Sequence, residues 1–399
     1  MGEINIMKKN SLIYLDNSAT TKVAKEVYEA MMPYYTSNYF NPDSSYYQAR
    51  EVKAEVEKVR ELIAEEIGAD ADEIFFTSGG CEANTWAMKI FADKHFKQIL
   101  TSPIEHHSIE NAIKEYIGEP IFARLEKDNL VADRKISNGQ IDVDELEFIL
   151  KRLTIDGATI MHGNNEIGTV QDIPLLAGLF EEYHIPFHTD AVQTFMHIPI
   201  DVDTMGVQML SASAHKIGGP KGIGFLYIRR DFQLGVKPLI CGGQQEQGLR
   251  GGTTNVPSII GFGRAIELQK KNRNKLYTKN TFGAILEDAL LNANGLDMMF
   301  TGSITKRLPN HMSMCFRDIS GQQLVAMLAE KGIMVSTGSA CNSSNSKPSH
   351  VLEAINIPEQ FINGAIRITY SNDLTDKDAL YVVNAIEDCV NILRRQNES

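Results

Sequence analysis

The sequence predicts an α/β fold, with a large domain on a mostly parallel sheet and a smaller α+β domain towards the carboxyl end. Two observations carry this. From Asp72 to Ile228 short apolar runs alternate with helix-period segments and little irregular filler, the pattern of strands joined by crossover helices. From Val256 to about Ala293 the pattern turns wholly helical, marking a crossover, and a different mixture of strands and helices follows.

In chain order, Leu12 to Leu15 reads as a strand and Lys25 to Met32 as a helix, followed by a turn-rich loop around Asn41-Pro42. Val52, Val56, Val59, Ile63 and Ile67 recur at helical spacing, and Gly68 stops that helix. Glu73 to Thr77 is a strand, and a helix is expected from Ala83 to about Phe96. Gln98 to Thr101 is the next strand, 118–139 is irregular with a possible hairpin, and Val143 to Leu153 is helical. Ala158 to Met161, Ile185 to His188, Val207 to Leu210 and Ile223 to Ile228 are further strands, with a helix at Pro174 to Tyr183. Cys241 to Thr254 is a long glycine-rich loop, a type that in compact proteins is commonly functional. The carboxyl part has strands at Met312 to Phe316, Ile333 to Ser336 and Ala365 to Ile368, a helix at Gln322 to Lys331 and a last helix from Lys377.

The chain of 399 residues is 43% hydrophobic and 23% charged, in the range of globular proteins with a sizeable core. Its formal net charge of -12 argues against a general nucleic-acid or anionic-membrane binder. Nothing in it is a membrane-length apolar run or a signal peptide, and the five cysteines form neither close pairs nor a zinc-like cluster. A reducing cytoplasm and no metal are the expectations.

Five positions suited to chemistry fall just beyond strand ends. They are Gly79-Gly80-Cys81, His106, Asn165, Asp190 and Lys216. Ligands of α/β sheets bind at that edge. A strand, a glycine turn and a helix N-terminus can hold phosphate through free N–H groups, and no Walker pattern follows Gly79-Gly80. Lys216, in His215-Lys216-Ile217-Gly218-Gly219, sits between two buried runs, where desolvation prepares an amine for Schiff-base chemistry, and Ser213 and His215 beside it suit a phosphate. Taken singly, each also reads as an ordinary turn or a structural histidine. Cys341 lies in a Gly, Ser and Asn run without apolar neighbours, more in keeping with a reactive thiol than a packed one. Arg367, inside an apolar strand, needs an anionic partner, either a bound carboxylate or a structural ion pair.

With these motifs in order, the chain resembles the cysteine desulfurases of the NifS/IscS type. These are pyridoxal-phosphate enzymes of the class V aminotransferase group, with the fold type I of aspartate aminotransferase. The resemblance rests on Tyr14 to Thr21, Phe76-Thr77-Ser78-Gly79, Glu105-His106, Asn164 to Gly168, Asp190 to Gln193, His215-Lys216, Arg250 to Thr253 and Ser339-Ala340-Cys341. It implies a large domain over 17–262 and a small one over 1–16 and 263–399. It implies that Lys216 binds the cofactor and moves the substrate Cα proton, that Asp190 pairs with the ring nitrogen, and that Gln193 bonds the phenolate. His106 would stack on the ring, while Gly80, Cys81, Ser213 and His215 would cradle the phosphate. Thr253 would reach the cofactor of the other subunit, implying a homodimer, and Asn165 and Arg367 would hold the substrate carboxylate. L-cysteine would become L-alanine, with its sulfur carried as a persulfide on Cys341 to an acceptor such as an iron–sulfur scaffold or a tRNA- or cofactor-thiolation protein. A selenocysteine lyase or another class V enzyme is the alternative. Tyr46, Ala49, Cys81, Gln247 and Gly251 depart from the family's usual residues. The eleven residues from Cys341 to Val351 resemble the longer loop of the IscS-like branch.

Overall fold

The structure, a computed structural model, describes residues 12–127, 129–131, 134–276, 281–293, 295–338 and 348–397. The first part of the chain runs β1 (Ile13–Tyr14), α1 (Lys25–Met31), α2 (Pro33–Thr36), α3 (Tyr47–Ile67), β2 (Ile74–Thr77), α4 (Gly80–Asp93), β3 (Ile99–Thr101) and α5 (His107–Tyr116). There follow β4 (Ile121–Phe122), β5 (Asn129–Val131), β6 (Arg134–Ile136), α6 (Val143–Leu150), β7 (Gly157–Thr159), α7 (Ile173–Glu182), β8 (Phe187–Asp190), α8 (Val202–Met205), β9 (Met209–Ser213) and β10 (Gly224–Ile228). The remainder is α9 (Val256–Leu276), α10 (Thr281–Asn292), β11 (Met298–Phe300), β12 (His311–Phe316), α11 (Gly321–Glu330), β13 (Ile333–Met334), α12 (His350–Ala354), α13 (Glu359–Ile362), β14 (Ala365–Thr369) and α14 (Asp376–Asn397).

Seven strands form the main sheet in the order β2-β10-β9-β8-β7-β3-β4. Only β10 runs against its neighbours, β2 and β9, while the other pairs are parallel. Alternation along the strands feeds two cores. Ile74, Phe76, Phe225 and Tyr227 join a cluster with α3, α7 and α9. Phe75 and Leu226 point into another with Trp86 and Phe91 of α4. A third cluster joins Ile13 and Leu15 of the amino-terminal stretch to the sheet β11-β12-β14 and to α10, α11 and α14.

The expected strands and most helices appear at or near the positions read from the sequence, and β5–β6 is the hairpin suspected in 118–139. One boundary differs with consequence. Helix α4 starts at Gly80 rather than Ala83, because Glu82 accepts from Ser78 N at 2.8 Å and closes the first turn three residues early. Gly80 and Cys81 therefore stand in the first turn, where N–H groups lack intrahelical partners. Gly68 ends α3 in the left-handed conformation (φ 69°), as its position predicts.

The long loop 241–254 is tied down by a buried charge pair. Arg60 of α3 meets Glu246 through Nη1 at 2.7 Å and Nη2 at 2.9 Å, and Glu246 also accepts from Phe76 N at 2.9 Å. Burial opposes the Arg60 charge, but Glu246 and Glu57 outweigh it and raise the pKa further above its ordinary value. Both side chains are less than a tenth exposed. Glu246→Ala would leave the guanidinium buried with less compensation. The variant is expected to lose about 3–5 kcal/mol of stability in chemical unfolding, and a loss under about 1 kcal/mol would show that the pair is weakly coupled.

Candidate active site

The carboxyl ends of β2, β3, β7, β8 and β9 open onto one cavity of about 320 Å³. Lys216, His106, Gly80, Cys81, Asp190, Gln193, His215, Asn165 and Arg367 all line it. Parallel strand order is what brings positions 80 to 216 together, since each parallel strand delivers the loop after it to the same edge. Ser213 stands just behind, 2% exposed, with its Oγ 3.8 Å from where a side chain at Gly79 would begin.

Each group is held from a second layer. Asp190, at the last residue of β8, accepts from Val192 N at 2.9 Å and Asn84 Nδ2 at 2.7 Å. Asn84 lies one helical turn after Gly80 on α4, and its Nδ2 also reaches Ser108 Oγ at 2.9 Å. His106 is the N-cap of α5, and its Nδ1 accepts from Ser108 N at 3.1 Å. An acceptor nitrogen carries no proton, so the tautomer is the one with hydrogen on Nε2. The Lys216 amine donates to the carbonyl oxygens of Ser18 and, at 2.9 Å, of Ala19. Gln193 Nε2 donates to the same Ser18 oxygen at 3.0 Å. The turn after β1 thus holds two cavity side chains at once.

Burial shifts several pKa values. His215 falls to about 4 through burial and then the charges of Lys216 and Lys221. His188, on β8 between Thr159 Oγ1 at 2.8 Å and Ser211 Oγ at 2.9 Å, falls to about 3 by burial alone. His162 falls to about 4, again chiefly by burial. Glu105 is pushed up to about 8 by burial and, less, by Asp190, against hydrogen bonds from Ser102 and Met161. Its Oε2 is a buried atom without a hydrogen-bond partner among the described residues.

Other predicted positions lie elsewhere. Thr253 is on the loop 241–254, away from its own chain's cavity; its neighbours Gly252 and Thr254 line a separate cleft of about 160 Å³. Cys341, with Ser339 and Ala340, lies outside the described residues. Arg367 is 2% exposed and already has an ionic partner, Asp16. Of the two possibilities left open for it, the structural ion pair is formed, and the residue also lines the cavity. Among the departures, Gly251 has a steric reason here: a Cβ there would stand 2.5 Å from Gly242 Cα, so the two glycines let the loop's backbones cross. Tyr46 is exposed and edge-on to Phe40, and Ala49 is fully buried in α3.

Sequence reasoning missed Asn84, Asp16, the Ser18 carbonyl, His107, Glu166 and His350 as parts of the site. Asn84 was within reach, since its spacing from Gly80 puts both on one face of a helix. His107 and Glu166 were signalled by adjoining His106 and Asn165, whereas the pairings of Asp16 with Arg367, Ser18 with Lys216 and His350 with Glu105 join segments far apart in the chain.

The donor set fits pyridoxal phosphate. A 14-residue helix opens on the cavity with N–H groups suited to a phosphate dianion, and Ser213 and His215 stand beside it. A buried carboxylate fixed by two donors suits a pyridinium, and the Lys216 amine suits an aldehyde. Among the described residues no cluster of three or more ligating side chains suits a metal.

Residues 13–382 match the family described as aminotransferase class-V. The chain is 43% identical over 390 residues to the cysteine desulfurase IscS of Dictyoglomus turgidum, covering 96% of this chain and 95% of that one. It is 40% identical over 401 residues to the cysteine desulfurase IscS of Methanosarcina thermophila, covering 98% and 95%. Among solved structures, a NifS-like protein superposes with a TM-score of 0.85 at 32% identity, covering 96% and 100%. SspA in complex with cysteine superposes with 0.73 at 33%, covering 90% and 98%.

The buried histidines set a pH dependence. Their folded pKa values lie below the unfolded value of about 6.5, so at lower pH the unfolded chain binds protons that the folded one refuses. The histidines' contribution to stability is expected to be full above pH ~6.5 and to decline as pH falls towards about 4. In a thermal-melting series over that range, His188→Asn should flatten part of the slope. An unchanged slope would remove His188 from the account.

Proposed function

The chain belongs to the aminotransferase class-V family and, within it, to the cysteine desulfurases, which work with pyridoxal phosphate, and on that premise we propose the following roles for its residues. The observation that carries them is the single cavity lined by Lys216, Asp190, His106 and Arg367. The bound cofactor supplies an electron sink that makes the substrate's Cα proton removable. Lys216 removes that proton, its amine leaving the carbonyls of Ser18 and Ala19 to do so. Asp190 would keep a proton on the ring nitrogen, and Gln193 would donate to the phenolate. His106, which lines the same cavity, would stack on the ring and offer its Nε2 proton. Gly80, Cys81, Ser213 and His215 hold the phosphate, and Arg367 and Asn165 hold the L-cysteine carboxylate.

Cys341 is the sulfur carrier. Its thiolate attacks the substrate sulfur, the Cβ–S bond breaks, and that bond's electron pair stays with the carbon skeleton, which takes up protons and leaves as L-alanine. The sulfur remains as a persulfide on Cys341 until an acceptor protein takes it, with an iron–sulfur scaffold or a thiolation protein as the class we favour.

A homodimer in the cytoplasm is the working form in this reading. Its support is the place of Thr253, away from its own cavity, and the exposed ring surfaces of Tyr28, Tyr35 and Tyr39. No helix among the described residues is long and apolar enough to cross a membrane. The division into 17–262 and 1–16 with 263–399 is supported by the separate apolar cluster that joins Ile13 and Leu15 to the carboxyl part of the chain.

The test is release of alanine and sulfide from L-cysteine by the cofactor-loaded protein with a thiol reductant. Cys341→Ala is expected to cut sulfide release by about 10³-fold or more while cofactor absorbance stays normal. Sulfide release equal to wild type would exclude Cys341 as carrier and favour a lyase such as one acting on selenocysteine.

A further inference from the structure

Arg367 enters the cavity with part of its charge already answered. Its Nη2 donates to Asp16 Oδ1 at 2.5 Å. Its Nη1 donates to the Asn165 carbonyl at 2.9 Å and the Gly338 carbonyl at 3.3 Å. Its Nε is buried and has no hydrogen-bond partner among the described residues. Asp16 is placed there by backbone register: it bridges Thr369, two residues along β14 from Arg367, so the two side chains meet on one face. Asn17 N and Ser18 N hold the same stretch on Thr369 at 3.2 and 2.9 Å, without using the Asp16 side chain.

Two neutral carbonyls already accept from this guanidinium, so an uncharged group at position 16 would serve for hydrogen bonding alone. A carboxylate does something further. At salt-bridge distance in a buried site it cancels much of the field that the arginine presents to an incoming anion. It also holds one edge of the guanidinium, leaving Nε as the buried donor still to be satisfied. The geometry points to Asp16 as a positioning residue that moderates the attraction of Arg367 for the amino-acid carboxylate, so that L-cysteine is held in one orientation and L-alanine leaves readily. This rests on the proposed role of Arg367 as the holder of that carboxylate.

The experiment is a titration of the cofactor-loaded protein with L-alanine, followed by cofactor absorbance, beside steady-state turnover of L-cysteine. Asp16→Asn, which keeps shape and removes charge, is expected to bind L-alanine at least three-fold more tightly and to lower KM and kcat together. Asp16→Ser is expected to shift in the same direction. Arg367→Gln is expected to weaken L-alanine binding at least ten-fold. Unchanged or weaker L-alanine binding in the folded Asp16 variants, with Arg367→Gln weakened as expected, would overturn the role of Asp16 alone. Loss of cooperative folding in both Asp16 variants would equally overturn it, placing the residue in folding. Undiminished binding by Arg367→Gln would instead remove the reading beneath it.

Discussion

A guanidinium that is 2% exposed has to be answered from inside the protein, and answering Arg367 gathers three distant parts of the chain. Asp16 comes from the amino-terminal stretch, Asn165 from the loop after β7, and Gly338 from the loop after β13. The same amino-terminal stretch continues to Ser18 and Ala19, whose carbonyls receive the Lys216 amine, and to Thr21, whose Oγ1 donates to His215 O at 2.9 Å and accepts from Gly218 N at 2.8 Å. Six residues thus span from a strand of the smaller sheet to the lysine turn of the larger one. Moving the two sheets apart would break bonds at both ends of this connection, so the arginine and the lysine are kept in a common frame.

The carboxyl edge of the main sheet carries a cost in stability. Glu105, with a pKa near 8, is buried with an oxygen that finds no partner among the described residues, and His188 and His162 are buried against their tendency to protonate. The sign differs between them. Glu105 weakens the fold as pH rises from about 4.5 to 8, because the unfolded chain then releases a proton that the folded one keeps. The histidines weaken it as pH falls. A core chosen for stability alone would hold apolar residues in these places, and their presence at the ligand-binding edge is where local rules are expected to yield to chemistry.

Much of this was legible in the sequence because it is local. Apolar runs, helical spacing and Gly68 marked the elements, and strand order carried Gly80, His106, Asn165, Asp190 and Lys216 to one edge once the sheet was read as parallel. The start of α4 was misplaced because Ser78-Gly79-Gly80 looks like a turn, while the deciding bond is made by the Glu82 side chain. The ionic partner of Arg367 was illegible for a different reason. An arginine in an apolar strand announces the need for an anion, but nothing near it names Asp16, which becomes a neighbour only when β1 pairs with β13 and runs on beside β14. Pairings of that kind are settled by the cores, and the cores are settled by the whole chain.

The place of Thr253 follows from similar physics. The loop that bears it has no hydrophobic period; Leu249 packs against the α4 cluster, and charge does much of the remaining work. Glu246 takes Arg60 and Phe76 N, while Arg250 meets Glu82 at 3.0 Å in the first turn of α4. Burial would raise the Glu82 pKa, but the bonds from Arg250 and Ser78 outweigh it and hold the carboxyl below its usual range. Glu82 therefore stays charged, and its charge at the helix start would oppose a bound phosphate if Arg250 did not answer it. The ion pair lets one helix terminus present N–H groups to the cavity while its own acid is neutralised from outside. The loop is thereby pinned beside the first turn of α4, while Gly252 and Thr254, on either side of Thr253, line a separate cleft.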